Sequence, residues 1–215
     1  MFFIGFIALF IASLGFWRLK EEVPSKMTVN NFRHFSSLMA TELRNNKRLG
    51  YFVGWVNTMG VSITLLPFVM LYSKKFFHTQ SHDTGLYLFY KVLGTVGIGF
   101  LLFIFSRKFK YLYHLYGNVF VVLSIPLILL FSNGMPPFRI LFLIGGVIFA
   151  GYTIPMGGVL LEISGKENRA LYSGIAGAGN IIPALFPLLG GWIIEHLGFQ
   201  PFFILFILII LSSLL

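Results

Sequence analysis

No cysteine occurs in the chain, which excludes disulfide frameworks, thiolate metal sites and thiol nucleophiles together. Charge is almost as scarce. Charged residues make up 11% of the 215 residues, about half the share in a soluble globular domain. Only 7 residues are acidic, and none lies deep in an apolar run, so paired carboxylates for acid–base chemistry are missing. No Ser/His/Asp grouping and no phosphate-cradling loop after a strand occurs either. An integral membrane enzyme is therefore the weakest functional class, and neither a cofactor nor a metal site is expected. His78 and His82 share helical spacing beside Asp83, but they fall in a polar connection without a scaffold and read as solvated.

What the sequence does contain is apolar length. Hydrophobic residues make up 57% of it, with 26 Phe, and runs of 18 or more apolar residues recur from end to end. The fold class is an all-α membrane protein. Seven spans are expected, at about 1–17, 50–72, 84–105, 111–131, 138–161, 171–194 and 199–215. Residues 18–49 form the one long polar segment. Within it Phe32, Phe35, Leu38, Met39 and Leu43 fall on one side of a helix, so the segment is either amphipathic or a solvated linker.

The net charge of +9 does not point to nucleic acid, because the basic residues sit in short connections rather than on one face. If connections alternate sides, Arg18, Lys20, Lys26, Arg33, Arg44, Lys47, Arg48, Arg107, Lys108, Lys110, Lys166 and Arg169 share one side. Lys74, Lys75 and Arg139 share the other. The heavily basic side is cytoplasmic by the positive-inside rule, and the protein is expected as a multi-pass protein of the cell membrane.

One helix, a long basic cytoplasmic loop and six further spans resemble the second half of a major facilitator superfamily transporter. Residues 1–17 then look like helix 6, 18–49 like the central loop and 50–215 like the bundle of helices 7 to 12. Glu162, Arg169 and Gly174 look like the turn between helices 10 and 11. Pro187, Gly190 and Gly191, followed by Gly198, Phe199 and Phe202, are similar to helix 11 and the beginning of helix 12. The turn between helices 8 and 9 keeps only Arg107, Lys108 and Lys110 of the family pattern and lacks its Asp. The resemblance implies alternating-access transport of a small solute across the bilayer. It also implies a missing N-terminal six-helix half, on a longer gene product or a second chain. The other class is a half-carrier acting as a membrane interaction or assembly subunit with no path of its own.

Solute sites in such carriers lie near the bilayer midplane on helices interrupted by Gly or Pro. Two such places stand out, Thr64 before Pro67 and Thr153 before Pro155. The cavity candidates are Asn57, Thr58, Ser62, Thr64, Lys91, Tyr152 and Thr153; the polar ones serve equally well as hydrogen-bonding glue between helices. Lys91 either snorkels outward or binds an anionic group in the cavity. Arg107, Glu162 and Arg169 are candidates for a cytoplasmic gate, with a solvated turn as the alternative. Gly174, Gly177, Pro187, Gly190 and Gly191 are expected to let helices pack closely, which explains the Gly-rich run at 174–179 better than a nucleotide loop does.

Overall fold

The computed structural model describes residues 6, 7, 10, 13, 31–105, 111–132, 134–165, 169–178 and 180–214. Most of the first expected span, and the turn carrying Arg107, lie outside the described residues. Most of those described are helical, with no strand among them. The helices are α1 (Phe32–Asn45), α2 (Lys47–Met59), α3 (Leu65–Phe77), α4 (Ser81–Phe105) and α5 (Tyr111–Phe131). They continue with α6 (Phe138–Ser164), α7 (Arg169–Ala178), α8 (Ile181–His196) and α9 (Phe199–Ser212). A 3₁₀ segment, Gly60–Thr64, joins α2 to α3.

Among the described residues, five helical stretches are long and apolar enough to cross a membrane: Lys47–Phe77, His82–Phe105, Tyr113–Phe131, Phe138–Ser164 and Leu171–His196. Phe199–Ser212 is apolar but shorter. The chain is thus an all-helical, multi-pass membrane protein.

Two of the spans are not continuous. In the first, Pro67 has no N–H for the carbonyl of Ile63, and its ring crowds that carbonyl. The chain answers with the tighter 3₁₀ turn just before it. In the last, Asn180 lies outside the helix at the N-cap of α8, and Pro183 falls in the first turn of α8, where a missing donor costs nothing. Pro126 and Pro155, by contrast, ride inside unbroken α5 and α6. The interruption expected at Thr153–Pro155 is therefore not there. The second broken helix is the one at Asn180.

Packing follows the small residues. A Cβ on Gly146 would collide with the backbone of Lys91 and Thr95, and one on Gly94 with the backbone of Leu143. Only glycine lets α4 and α6 meet backbone to backbone. Thr95 Oγ1 spans the seam, 2.9 Å from Lys91 O and 3.2 Å from Gly146 O. Elsewhere α4 is largely exposed and apolar, suited to lipid. On the other side of α6, buried Asn118 of α5 donates to Ile148 O at 3.3 Å, over the gap left by Gly151. The main core is aromatic, with Phe68 against Phe186 and Phe202, and Tyr72 against Phe199 and Phe203. Gly190 makes room for the Phe68 and Phe202 rings.

A second apolar cluster fills the end where α2 begins. Leu49, Phe52 and Val56 meet Leu171, Tyr172 and Ile175 there, and Phe35, Met39 and Leu43 of α1 lie over them. The amphipathic helix thus docks its apolar side on the bundle. Tyr172 Oη donates to Glu42 Oε2 at 3.1 Å and accepts from Asn46 Nδ2 at 3.3 Å. Tyr172→Phe removes both bonds while keeping the ring. Hydrogen bonds to a charged group contribute about 1.5–3 kcal/mol, less when half-exposed as here, so α1 should loosen by about 1 kcal/mol. Trypsin should then cut faster at Arg33 and Arg44, and an unchanged cleavage rate would remove Tyr172 as the latch.

Candidate functional site

The two helix breaks meet. Gly60, the first residue of the 3₁₀ segment, faces the gap between α7 and α8. A Cβ there would lie 2.6 Å from Pro183 Cγ, and 3.2 Å from both Asn180 Oδ1 and Tyr152 Oη. Asn57, one turn earlier, reaches across the same gap. Its Oδ1 accepts the N–H of Ile182 at 3.0 Å, while its Nδ2 donates to Val53 O at 2.9 Å.

The first bond is a helix cap supplied by another helix. The first N–H groups of α8 have no partner within it, and Asn180, the residue in the N-cap position, makes no side-chain cap bond. Asn57 fills that role from α2. In hydrocarbon a free backbone N–H costs several kcal/mol, so a broken span persists only where protein or water satisfies its ends. Tyr152 closes the cluster. It is buried, and its ring stacks on Trp55 at 5.5 Å with the planes 14° apart.

The remaining cavity candidates separate clearly. Thr58 Oγ1 bonds back to Gly54 O and Trp55 O, Thr64 Oγ1 to Val61 O, and Thr153 Oγ1 to Phe149 O. All three use their own helix and stay partly exposed. Asn180 is exposed although it lies between two apolar helices. Ser62 is 3% exposed, and its hydroxyl has no partner among the described residues.

Lys91 stands apart from this group, on the α4–α6 seam. It is the tenth residue after Ser81, about 15 Å along α4, and lies within the apolar stretch His82–Phe105. A cation at the centre of a span costs about 3 kcal/mol on insertion scales, and less towards its ends. Lys91 Nζ lies over the Phe149 ring, 5.3 Å from its centre, and no described carboxylate pairs with it. Ser62, Lys91 and Phe149 line one small cavity, of about 10 Å³.

At the end of the bundle opposite α1 a wider cavity of about 550 Å³ opens between the α3–α4 and α5–α6 connections. Asp83, Tyr87, His78 and Arg139 line it. Asp83 is tied down, its Oδ2 accepting from Gln80 N–H at 3.1 Å. No three His, Asp or Glu side chains converge among the described residues.

Of the gate candidates, Arg107 lies outside the described residues, and Glu162 and Arg169 are not paired. Glu162 and Arg169 are both exposed, and Arg169 Nε donates to Gly165 O at 3.1 Å rather than to Glu162. Of the packing residues, Gly190 sits under two rings, and a Cβ on Gly174 would lie 3.6 Å from the Phe35 ring, an ordinary contact. Gly177 and Gly191 have open space where a Cβ would be, and Pro187 is exposed. Gly94, Gly146, Trp55 and Asn118 are not among the candidates that the sequence offers. Asn118 carried a usable signal, as a lone amide inside an apolar span. No family model, curated protein or solved structure matches the chain.

Proposed function

We propose that the chain forms the C-terminal six-span bundle, with one preceding span, of a secondary transporter of the major facilitator type. It would move a small solute across the cell membrane by alternating access. A second six-helix half, from the same polypeptide or another chain, would complete the path. The observation that carries this reading is the meeting of two discontinuous helices at Asn57, Gly60, Asn180 and Pro183.

Broken helices are tolerated in a membrane where their freed backbone groups line a cavity, and that is where secondary transporters place their sites. The partly exposed Thr58, Thr64 and Thr153 and the exposed Asn180 supply polar groups without charge, suited to a neutral or weakly polar solute. The heavily basic connections, the order of spans and the turn at Glu162–Arg169 support the facilitator arrangement from the sequence side. The arrangement also supports a path that opens by rearranging a few bonds. The Asn57 cap holds the two breaks together and can be broken without unfolding either helix.

The test is a solute screen in vesicles containing the full-length carrier. At least one small solute should equilibrate faster than in protein-free vesicles, with saturation. Permeability equal to protein-free vesicles across sugars, amino acids, organic acids and drugs would leave the chain as a membrane assembly subunit.

A further inference from the structure

The cavity between the 3₁₀ segment, α4 and α6 holds an unused donor and an unpaired cation together. We infer that it is a binding site for one small monovalent anion of halide size, held by the Lys91 ammonium and the Ser62 hydroxyl.

Four observations converge on it. Ser62 is 3% exposed and its Oγ finds no partner among the described residues, although a buried hydroxyl is ordinarily bonded. Lys91 is likewise without a described carboxylate, at a depth where an ammonium needs compensation. Both line the same cavity. The Phe149 ring face, 5.3 Å from Nζ, engages only one side of an ammonium that has three donors.

The seam explains why the charge sits there. Backbone contact of α4 with α6 at Gly94 and Gly146 fixes the root of Lys91, and Thr95 pins its carbonyl. Its side chain is thereby held beside the break in the first span. The guest's size follows from the cavity. About 10 Å³ is room for one small particle, and with Ser62 and Lys91 the only polar side chains in the lining, a monatomic anion is better served there than a carboxylate, which needs several donors. The rest of the wall, Leu66, Ile125 and Ile148 among it, is apolar, so the guest would be held by charge and one hydroxyl.

This inference stands apart from the transport reading, since an anion here serves a channel, a carrier or a purely structural bundle alike. The experiment is thermal unfolding of the purified full chain in detergent, in sodium chloride against sodium gluconate at equal ionic strength. Chloride should raise the midpoint by a few degrees and saturate. Lys91→Met should abolish the chloride dependence, and Ser62→Ala should weaken the apparent affinity about tenfold, as expected for one lost bond to a charged group. Lys91→Arg keeps the charge and should keep part of the response, so the test survives poor folding of the methionine variant.

Equal midpoints in chloride and gluconate would overturn the site, as would a chloride effect unchanged in both Ser62→Ala and the Lys91 variants. Acetate acting as well as chloride would overturn the halide assignment in favour of a carboxylate.

Discussion

Gly146→Ala is expected to destabilise the bundle by about 3 kcal/mol, while Gly97→Ala on the partner helix stabilises it by up to about 1 kcal/mol. Both changes add one methyl group to a helical glycine, and both gain the usual helix preference of alanine. They differ in what the methyl meets. At Gly146 it meets the Lys91 carbonyl and the Thr95 amide, backbone groups that cannot rotate away, so α4 must move off α6. At Gly97 nothing lies within 4 Å. Membrane helices have little hydrophobic drive to associate and rely on such close packing, so the seam is where a single methyl group acts most strongly. Unfolding of the purified protein by a denaturing detergent would measure the pair. Shifts of the same sign and size would show that α4 is not held at this seam.

The second large effect is expected at Asn57. Asn57→Ala leaves the Ile182 N–H without its acceptor at the start of α8. The bond is exposed, so its loss costs about 0.5–1.5 kcal/mol, and the tie between the two breaks is lost with it. In the carrier proposed above, solute uptake should fall by up to about tenfold for a change of this size, with membrane insertion unaffected. Asn57→Asp retains an acceptor at a helix N-terminus, where negative charge is favoured, and should recover much of the stability. Thr58→Ala is the comparison, because its hydroxyl bonds only to Gly54 O and Trp55 O of its own helix. It should change stability by less than about 0.5 kcal/mol. Equal effects at Asn57 and Thr58 would return Asn57 to ordinary helix decoration.

Hydropathy alone placed most of the helices. Tyr111–Phe131 coincides with the expected fourth span, and Phe138–Ser164 extends the fifth by a turn. The reason is physical, since a span is an unbroken apolar run and its ends are marked by Pro, Gly and charge. Interruptions were harder to read. Pro67 and Pro155 look alike in sequence, yet the chain tightens before one and runs straight through the other. A proline removes one donor wherever it falls, and whether the helix breaks depends on the neighbouring helices. At Asn180 the breakers were present, Gly179–Asn180 with Pro183 just beyond, but they sat in a run whose small residues were assigned to packing.

The site was legible in part for a related reason. Asn57, Tyr152 and Lys91 announced themselves as polar groups in apolar surroundings. Their partners did not, because Ile182 contributes only its backbone N–H and Gly60 only an absence of side chain. Sequence reports which side chains are present, whereas the contact between the breaks is made largely of backbone. The latch of α1 is similar. Its apolar stripe was visible at Phe35, Met39 and Leu43, while the Glu42–Tyr172 bond joins residues 130 apart in sequence.

The central claim is that the two breaks face a water-filled path rather than lipid. The chain has no cysteine, so single cysteines can be introduced without removing any. Three variants suffice: Thr58→Cys and Asn180→Cys at the breaks, and Leu208→Cys on α9, where the side chain is 59% exposed in the bundle. With the protein in its membrane, a charged, water-soluble thiol reagent should modify the first two and leave the cysteine at position 208 untouched. If Thr58→Cys and Asn180→Cys prove as unreactive as Leu208→Cys, the breaks face lipid or sealed protein, and the transport reading fails.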